Sequence, residues 1–292
     1  MVDSAHAYLV GLVGTGVTPS LTPPMHMAEA AALGIPYVYR PIDLSTLGLG
    51  ADRIGDILTW AERLGFDALN ITHPCKQAVI PHLDEIDPVA QALGAVNTVL
   101  LGREGRRGWN TDTTGFERAF SAGMPDAPRG DVVQLGAGGA GVAVADALAR
   151  LGTSRLTIVD LDAERADALA RDLRERRGTD AVAAEPSRLA RLLEGADGVV
   201  HCTPTGMAEH PGMPFDAALL RPDLWVADIV YRPLETELLT AARAAGCRTL
   251  DGGRMAVGQA VDAFELITGT RPDPDRMNRH FHDLVRPREI LV

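Results

Sequence analysis

At 292 residues the chain is long for one core and suited to two globular domains. Its 46 % hydrophobic and 23 % charged residues exclude a disordered chain and predict a packed interior. The formal net charge of −11 sets nucleic acid and acidic membrane surfaces aside as partners, because both would repel it.

Runs rich in Val, Ile and Leu alternate with helix-length amphipathic segments, the pattern of an α/β fold around a mainly parallel sheet. Strands are predicted near residues 8–14, 37–44 and 68–72, with helices near 24–33 and 53–64 in the connections. Two short strands, 97–101 and 106–110, join through a turn at 102–105, and a helix from about 112 to 122 follows. The Gly- and Pro-rich segment at 123–130 reads as a linker. Beyond it a strand at 132–135, a helix at 139–151, a strand at 155–160 and a helix at 163–177 open a second α/β domain. Further strands are expected at 198–203, 225–231 and 248–250, and closing helices at 255–268 and 275–284. The expected division is therefore 1–124, 125–254 and 255–292.

Three widely spaced cysteines, Cys75, Cys202 and Cys247, make neither a disulfide framework nor a zinc cage, and no metal-ligand cluster stands elsewhere in the sequence. The start carries no basic region followed by a long apolar stretch, and no run reaches the roughly 18 apolar residues of a membrane span. A soluble cytoplasmic protein is expected.

Gly136-Ala-Gly-Gly-Ala-Gly141 satisfies G-x-G-x-x-G directly after a predicted strand and at the opening of a predicted helix. Gly136 lets the chain turn, Gly138 lets backbone approach a pyrophosphate, and Gly141 lets helix pack on strand. The amides of Gly139 and Ala140 then face the anion at the helix start. The next strand ends at Asp160, whose carboxylate can accept both ribose hydroxyls of NAD. Leu161 and Asp162 follow, where binders of NADP usually place an arginine, so NAD is the expected cofactor. Asp162 is placed to cap the helix after it, and Arg165, one turn in, is a surface position able to stack on adenine.

Asn70-Ile-Thr-His-Pro-Cys-Lys76 closes a strand end, where open α/β sheets hold their ligands, and offers an amide, a hydroxyl and an amine together. Here the chain resembles the shikimate dehydrogenase family, whose marker Asn-x-Thr-x-Pro-x-Lys is matched at every fixed position. Four more blocks agree in family order: Ser20 to His26, Gly94 to Thr98, Asn110 to Asp112 with Gly115, and Met255 to Phe264 with Gln259.

The resemblance implies an N-terminal α/β substrate domain, a Rossmann-type dinucleotide domain, a cleft between them, and last helices that pack back on the first. It makes Lys76 and Asp112 the catalytic pair, a role the chemistry supports: oxidising a secondary alcohol needs a group that takes the hydroxyl proton as hydride leaves. Ser20 and Thr22 match the hydroxyls that hold the substrate carboxylate, although either could cap a helix. Asn70 belongs to the motif loop and is expected among the substrate-binding residues. Thr72, Asn97 and Gln259 match residues that reach ring hydroxyls, and Tyr231 a ring-contacting tyrosine. Thr203, Val230 and Gly253 fall where the family meets the nicotinamide half.

Departures from the common family pattern carry information. Ser-x-Ser is Ser20-Leu-Thr22, Asn-Arg-Thr is Asp160-Leu-Asp162, and His201 stands where Asn is usual. These changes resemble the NAD-dependent quinate/shikimate dehydrogenase branch, which implies quinate or shikimate as substrate; either a monomer or a homodimer is expected. An NADP-dependent shikimate dehydrogenase, an amino-shikimate dehydrogenase and a catalytically silent ligand sensor are the alternatives. His26, His73 and His201 read as structural.

Overall fold

A computed structural model describes residues 6–285. In the front part, β1 (Tyr8–Gly14), α1 (Thr22–Ala32), β2 (Tyr37–Asp43), the short α2 (Leu44–Leu47), α3 (Ile54–Arg63) and β3 (Ala68–Ile71) form two parallel crossover units. β1 is flanked by β2 and β3 and covered on both faces, so Val10, Leu12 and Val13 are all buried and its sequence shows no alternation. After α4 (Cys75–Ala78) come β4 (Glu85–Ile86), α5 (Pro88–Leu93), β5 (Thr98–Gly102) and β6 (Gly105–Trp109). Asp87 starts α5 by accepting the Val89 and Ala90 amides, and Gly94 ends it in the left-handed conformation. The sheet order is β2-β1-β3-β5-β6-β4, with β5 antiparallel to both neighbours.

The second sheet is wholly parallel. α6 (Asp112–Gly123) leads to β7 (Asp131–Leu135), α7 (Gly139–Arg150), β8 (Arg155–Val159), α8 (Ala163–Arg177), β9 (Asp180–Ala184), α9 (Leu189–Gly195), β10 (Gly198–His201), β11 (Trp225–Asp228), α10 (Glu237–Ala244) and β12 (Thr249–Leu250). The strand order is β12-β11-β10-β7-β8-β9, so the chain reverses direction across the sheet between β7 and β10. That is the switch point at which such sheets hold ligands, beyond the strands' carboxyl ends. Last come α11 (Gly252–Thr268) and α12 (Pro274–Val285).

The chain divides into two compact units. One holds the described residues up to Thr111 and those from Val257 on, and the other is Asp112–Ala256. The division thus falls at the start of α6 instead of in the Gly- and Pro-rich segment near 124. That segment is packed: Met124 and Ala127 are buried in the second core, and the Trp225 indole donates to the Pro128 carbonyl at 2.8 Å. The α11 boundary likewise lies at Ala256/Val257, inside the helix.

In the first unit, one face of the sheet packs α3 through Leu58, Leu69 and Val99, and the other gathers Tyr39, Val10 and Ile267. α12 is held to α1 by Arg276, whose guanidinium donates to both oxygens of the buried Glu29 at 2.7 and 2.6 Å. The second core centres on Val132, Val144, Leu148, Ile158 and Trp225.

Candidate active site

In the first unit three loops gather at strand ends. The loop after β1 is stitched to the loop after β3 by the Thr15 amide donating to the His73 carbonyl at 2.9 Å, and Val96 donates to the Lys76 carbonyl at 2.8 Å. Gly14 has no room for a side chain, since a Cβ would stand 2.4 Å from Thr72 Cγ2. Asp43, at the end of β2, accepts the Gly16 and Thr18 amides and the Thr18 and Ser45 hydroxyls. The Ser45 hydroxyl, then the Thr18 amide, hold its carboxyl below the ordinary value of 3.8.

Ser20 and Thr22 stand at the amino end of α1, both half-buried. Neither is consumed as a conventional cap: the capping residue is Leu21, without a side-chain bond, and Ser20 Oγ takes only the Thr22 amide at 3.3 Å. Hydroxyls and amides at a helix start suit a carboxylate. Lys76 lies half-buried in α4 and Thr72 at the end of β3, and Gln259 is half-buried on α11. Asn70 is engaged within the protein. Its Oδ1 accepts the Tyr39 hydroxyl at 2.5 Å, while its amide donates to Thr98 Oγ1 at 3.0 Å and the Asn97 carbonyl at 3.4 Å. Asn97 in turn grips Thr111, accepting its amide at 2.9 Å and donating to its hydroxyl at 3.0 Å. Sequence reading missed Tyr39, Thr98 and Thr111, the residues that orient these two amides. No local pattern marks Tyr39, while Thr98 and Thr111 lie inside the blocks Gly94 to Thr98 and Asn110 to Asp112.

In the second unit the glycine run leaves β7 and enters α7. Gly136 has φ +99, and a Cβ there would lie 2.7 Å from the Cys202 carbonyl, so only glycine fits. A Cβ on Gly141 would strike the Gly136 carbonyl at 2.3 Å. The buried Gln134, missed in the sequence, fixes this turn by donating to the Gly136 and Gly141 carbonyls at 2.9 and 2.8 Å. Gly138 caps α7 with no side-chain bond, and Cβ atoms built on Gly138 and Gly139 would meet open space. The Ala140 position lies in the first turn. These features fit a pyrophosphate held on backbone amides.

Asp160 lies just beyond β8 and accepts the Ala137 amide at 2.6 Å and the Asp162 amide at 2.9 Å. Asp162 caps α8 by accepting the Arg165 amide at 3.1 Å, as its position predicts. Leu161 is 94 % exposed, and Arg165 reaches Asp162 at 3.2 Å and Asp160 at 4.0 Å.

Thr203 follows β10, and Val230 and Tyr231 follow β11; Gly253 is buried in the first turn of α11. Asp112, buried at the start of α6, is close enough to Tyr231 for its charge to push the phenol upward, after burial as the larger cause. His201 is fully buried between Asp228 and Thr203.

Residues 12–99 match the family model for the shikimate dehydrogenase substrate binding domain, and 132–209 match that for the saccharopine dehydrogenase NADP binding domain. A shikimate dehydrogenase (NADP(+)) of Pseudarthrobacter chlorophenolicus is 56 % identical over 294 residues, the full length of both chains. The chain belongs to the shikimate dehydrogenase family. Within it, a quinate/shikimate dehydrogenase (NAD(+)) of Corynebacterium efficiens is 50 % identical, covering 94 % of this chain and 98 % of that one. The structure of a quinate dehydrogenase from Corynebacterium glutamicum in complex with NAD superposes with a TM-score of 0.90 at 49 % identity, over 95 % of this chain and 99 % of its own. As a shikimate dehydrogenase family member, the chain is an NAD(P)-dependent oxidoreductase acting on a CH–OH group, with an N-terminal substrate-binding domain and a Rossmann-type domain. No helix among the described residues is long and apolar enough to cross a membrane.

Proposed function

We propose that the chain is an NAD-dependent quinate/shikimate dehydrogenase that reversibly oxidises the ring C3 hydroxyl to the 3-dehydro acid. The observation that carries the choice of NAD is the Asp160-Leu161-Asp162 corner: a carboxylate set against the glycine loop, an exposed leucine where an arginine is usual, and a second carboxylate. A 2′-phosphate about 4 Å from such a carboxylate is repelled by between ~1 and ~4 kcal/mol per unit charge, against about 1.4 kcal/mol for a tenfold preference.

Bound nicotinamide supplies the hydride acceptor. The chain's own residues do the rest. Ser20 and Thr22 hold the substrate carboxylate at the start of α1 without a salt bridge, and Thr72, Asn97 and Gln259 orient the ring through its hydroxyls. Asn70 supports them by fixing Thr98 and the Asn97 backbone. Lys76 takes the hydroxyl proton as the C–H bond breaks, and Asp112 shares it; in reduction both roles reverse. Tyr231 lines the ring. Gly136, Gly138, Gly139, Ala140 and Gly141 hold the pyrophosphate, Asp160 the adenosine ribose, Arg165 the adenine, and Thr203, Val230 and Gly253 the nicotinamide end.

A second reading has a specific observation behind it. Arg165 stands 4.0 Å from Asp160 with its side chain 54 % exposed, and the 56 % identical relative is named for NADP(+). An Arg165 turned outward would meet a 2′-phosphate. Turnover of quinate, shikimate and amino-shikimate with each dinucleotide tests both. Reduction of NAD by quinate or shikimate is expected. Binding of quinate with no dinucleotide reduced at alkaline pH would make the chain a sensor instead.

A further inference from the structure

His201 and Asp228 are the last residues of β10 and β11, opposite one another in the parallel register, and neither side chain is exposed. Asp228 Oδ1 lies 3.0 Å from His201 Nδ1 and also accepts the Val230 amide at 3.0 Å, while Oδ2 accepts the Thr236 hydroxyl at 2.8 Å. On its other side His201 Nε2 lies 2.5 Å from Thr203 Oγ1. A carboxylate taking two other donors can only accept, so the proton sits on Nδ1. In the neutral ring Nε2 is then an acceptor, and the Thr203 hydroxyl donates to it. One lone pair of Thr203 Oγ1 meets the Thr205 amide at 3.3 Å, and the other is left to accept from a ligand.

Where that lone pair acts follows from topology. A Cβ on Gly136 would stand 3.1 Å from Thr203 Cγ2, so Thr203 borders the turn that receives the pyrophosphate. With Asp160 on the β8 side serving the adenosine end, the nicotinamide end falls over β10 and β11. We infer that His201 is a positioning residue: it commits the Thr203 hydroxyl to accepting the carboxamide N–H of the nicotinamide, fixing which face of the ring meets the substrate. This rests on the dinucleotide reading but not on the choice between NAD and NADP.

The test compares a carboxamide dinucleotide with its 3-acetylpyridine analogue, which carries a methyl ketone and no N–H donor. His201→Asn reproduces the Nδ1 donor to Asp228 and loses the acceptor for Thr203; Thr203→Val removes the hydroxyl at nearly constant shape. Each is expected to raise KM for the carboxamide dinucleotide by about 5- to 20-fold, the worth of one hydrogen bond, with the double variant no worse than either single. With the analogue neither should change KM by more than about 2-fold, and KM for the hydroxy acid should stay unaltered. His201→Gln, which restores an acceptor near Nε2, should recover part of the loss. Equal loss with both dinucleotides, multiplying effects, or no change in Thr203→Val would overturn the role of His201. Thr203→Val leaves the buried pair in place and decides whether the hydroxyl reads the carboxamide, and His201→Gln carries the test of His201 if His201→Asn fails to fold. The measurements use whichever dinucleotide the unaltered enzyme turns over. An inactive unaltered enzyme defeats the enzymatic reading, whereas normal turnover without analogue dependence defeats only this inference.

Discussion

The Asp160 carboxylate accepts the backbone amide of Ala137 at 2.6 Å, joining the end of β8 to the second residue of the glycine run. One side chain thus shapes the glycine turn and, in the proposed reading, also presents the acceptor for the adenosine ribose. Asp160→Ala removes a charge-assisted bond on each side and should raise KM for NAD by about 10- to 100-fold, with KM for quinate unchanged. It should also erode the preference over NADP. Steady-state kinetics with both dinucleotides check this.

Gly138 and Gly141 should respond oppositely to alanine. Gly138 has φ −73, ordinary for any residue, and open space at its Cβ, so Gly138→Ala should melt like the unaltered protein yet bind dinucleotide at least about 10-fold more weakly. Gly141→Ala meets the Gly136 carbonyl at 2.3 Å and should lower stability by about 1–3 kcal/mol before any ligand is added. Thermal melts with and without dinucleotide separate the two.

Lys76 holds the loop through its backbone, which accepts the Val96 amide, while its half-buried side chain is assigned the proton. Lys76→Ala should therefore lower kcat by about 10²- to 10⁴-fold with little change in melting temperature. Loss of stability in step with activity would recast Lys76 as a structural residue.

His26 is fully buried against Tyr37, Tyr39 and Phe264, and burial lowers its pKa from 6.5 to about 3, the Ala260 backbone opposing in part. Between those values the unfolded chain binds a proton that the folded chain does not. Stability is full above pH 6.5 and falls as the pH drops towards 3, by up to ~1.4 kcal/mol per pH unit. Asp43, whose folded carboxyl lies below 3.8, adds its loss only below that value. Urea unfolding between pH 4 and 7, roughly the span of the His26 window, should show this slope flattened in His26→Phe. Parallel loss in both proteins would point to another group.

What the sequence made legible was local. The glycine run after a strand, the Asp160 corner, the Asp162 cap and the loop ending at Lys76 each declare themselves within a few residues, because turn, cap and anion geometry are short-range. The supports of the site were hidden because they join residues distant in sequence. Asp228 meets His201 from 27 residues away, and Tyr39 meets Asn70 across the sheet from 31. β9, with the sequence DAVAA, was silent because alanine gives no clear alternation, and α4 and α5 are too short to show a helical period. The segment after Gly123 looked like a linker from its glycines and prolines, yet Met124 and Ala127 bury it in the second core.

The central claim is that this family member uses NAD on quinate or shikimate. The measurement that tests it most directly is the ratio of kcat/KM for NAD to that for NADP, taken with each acid on the unaltered enzyme. A ratio above about 10 with at least one acid is predicted, the factor that ~1.4 kcal/mol of repulsion at Asp160 and Asp162 supplies. A ratio below one with both acids would contradict the claim and make Arg165 the residue that reads the cofactor.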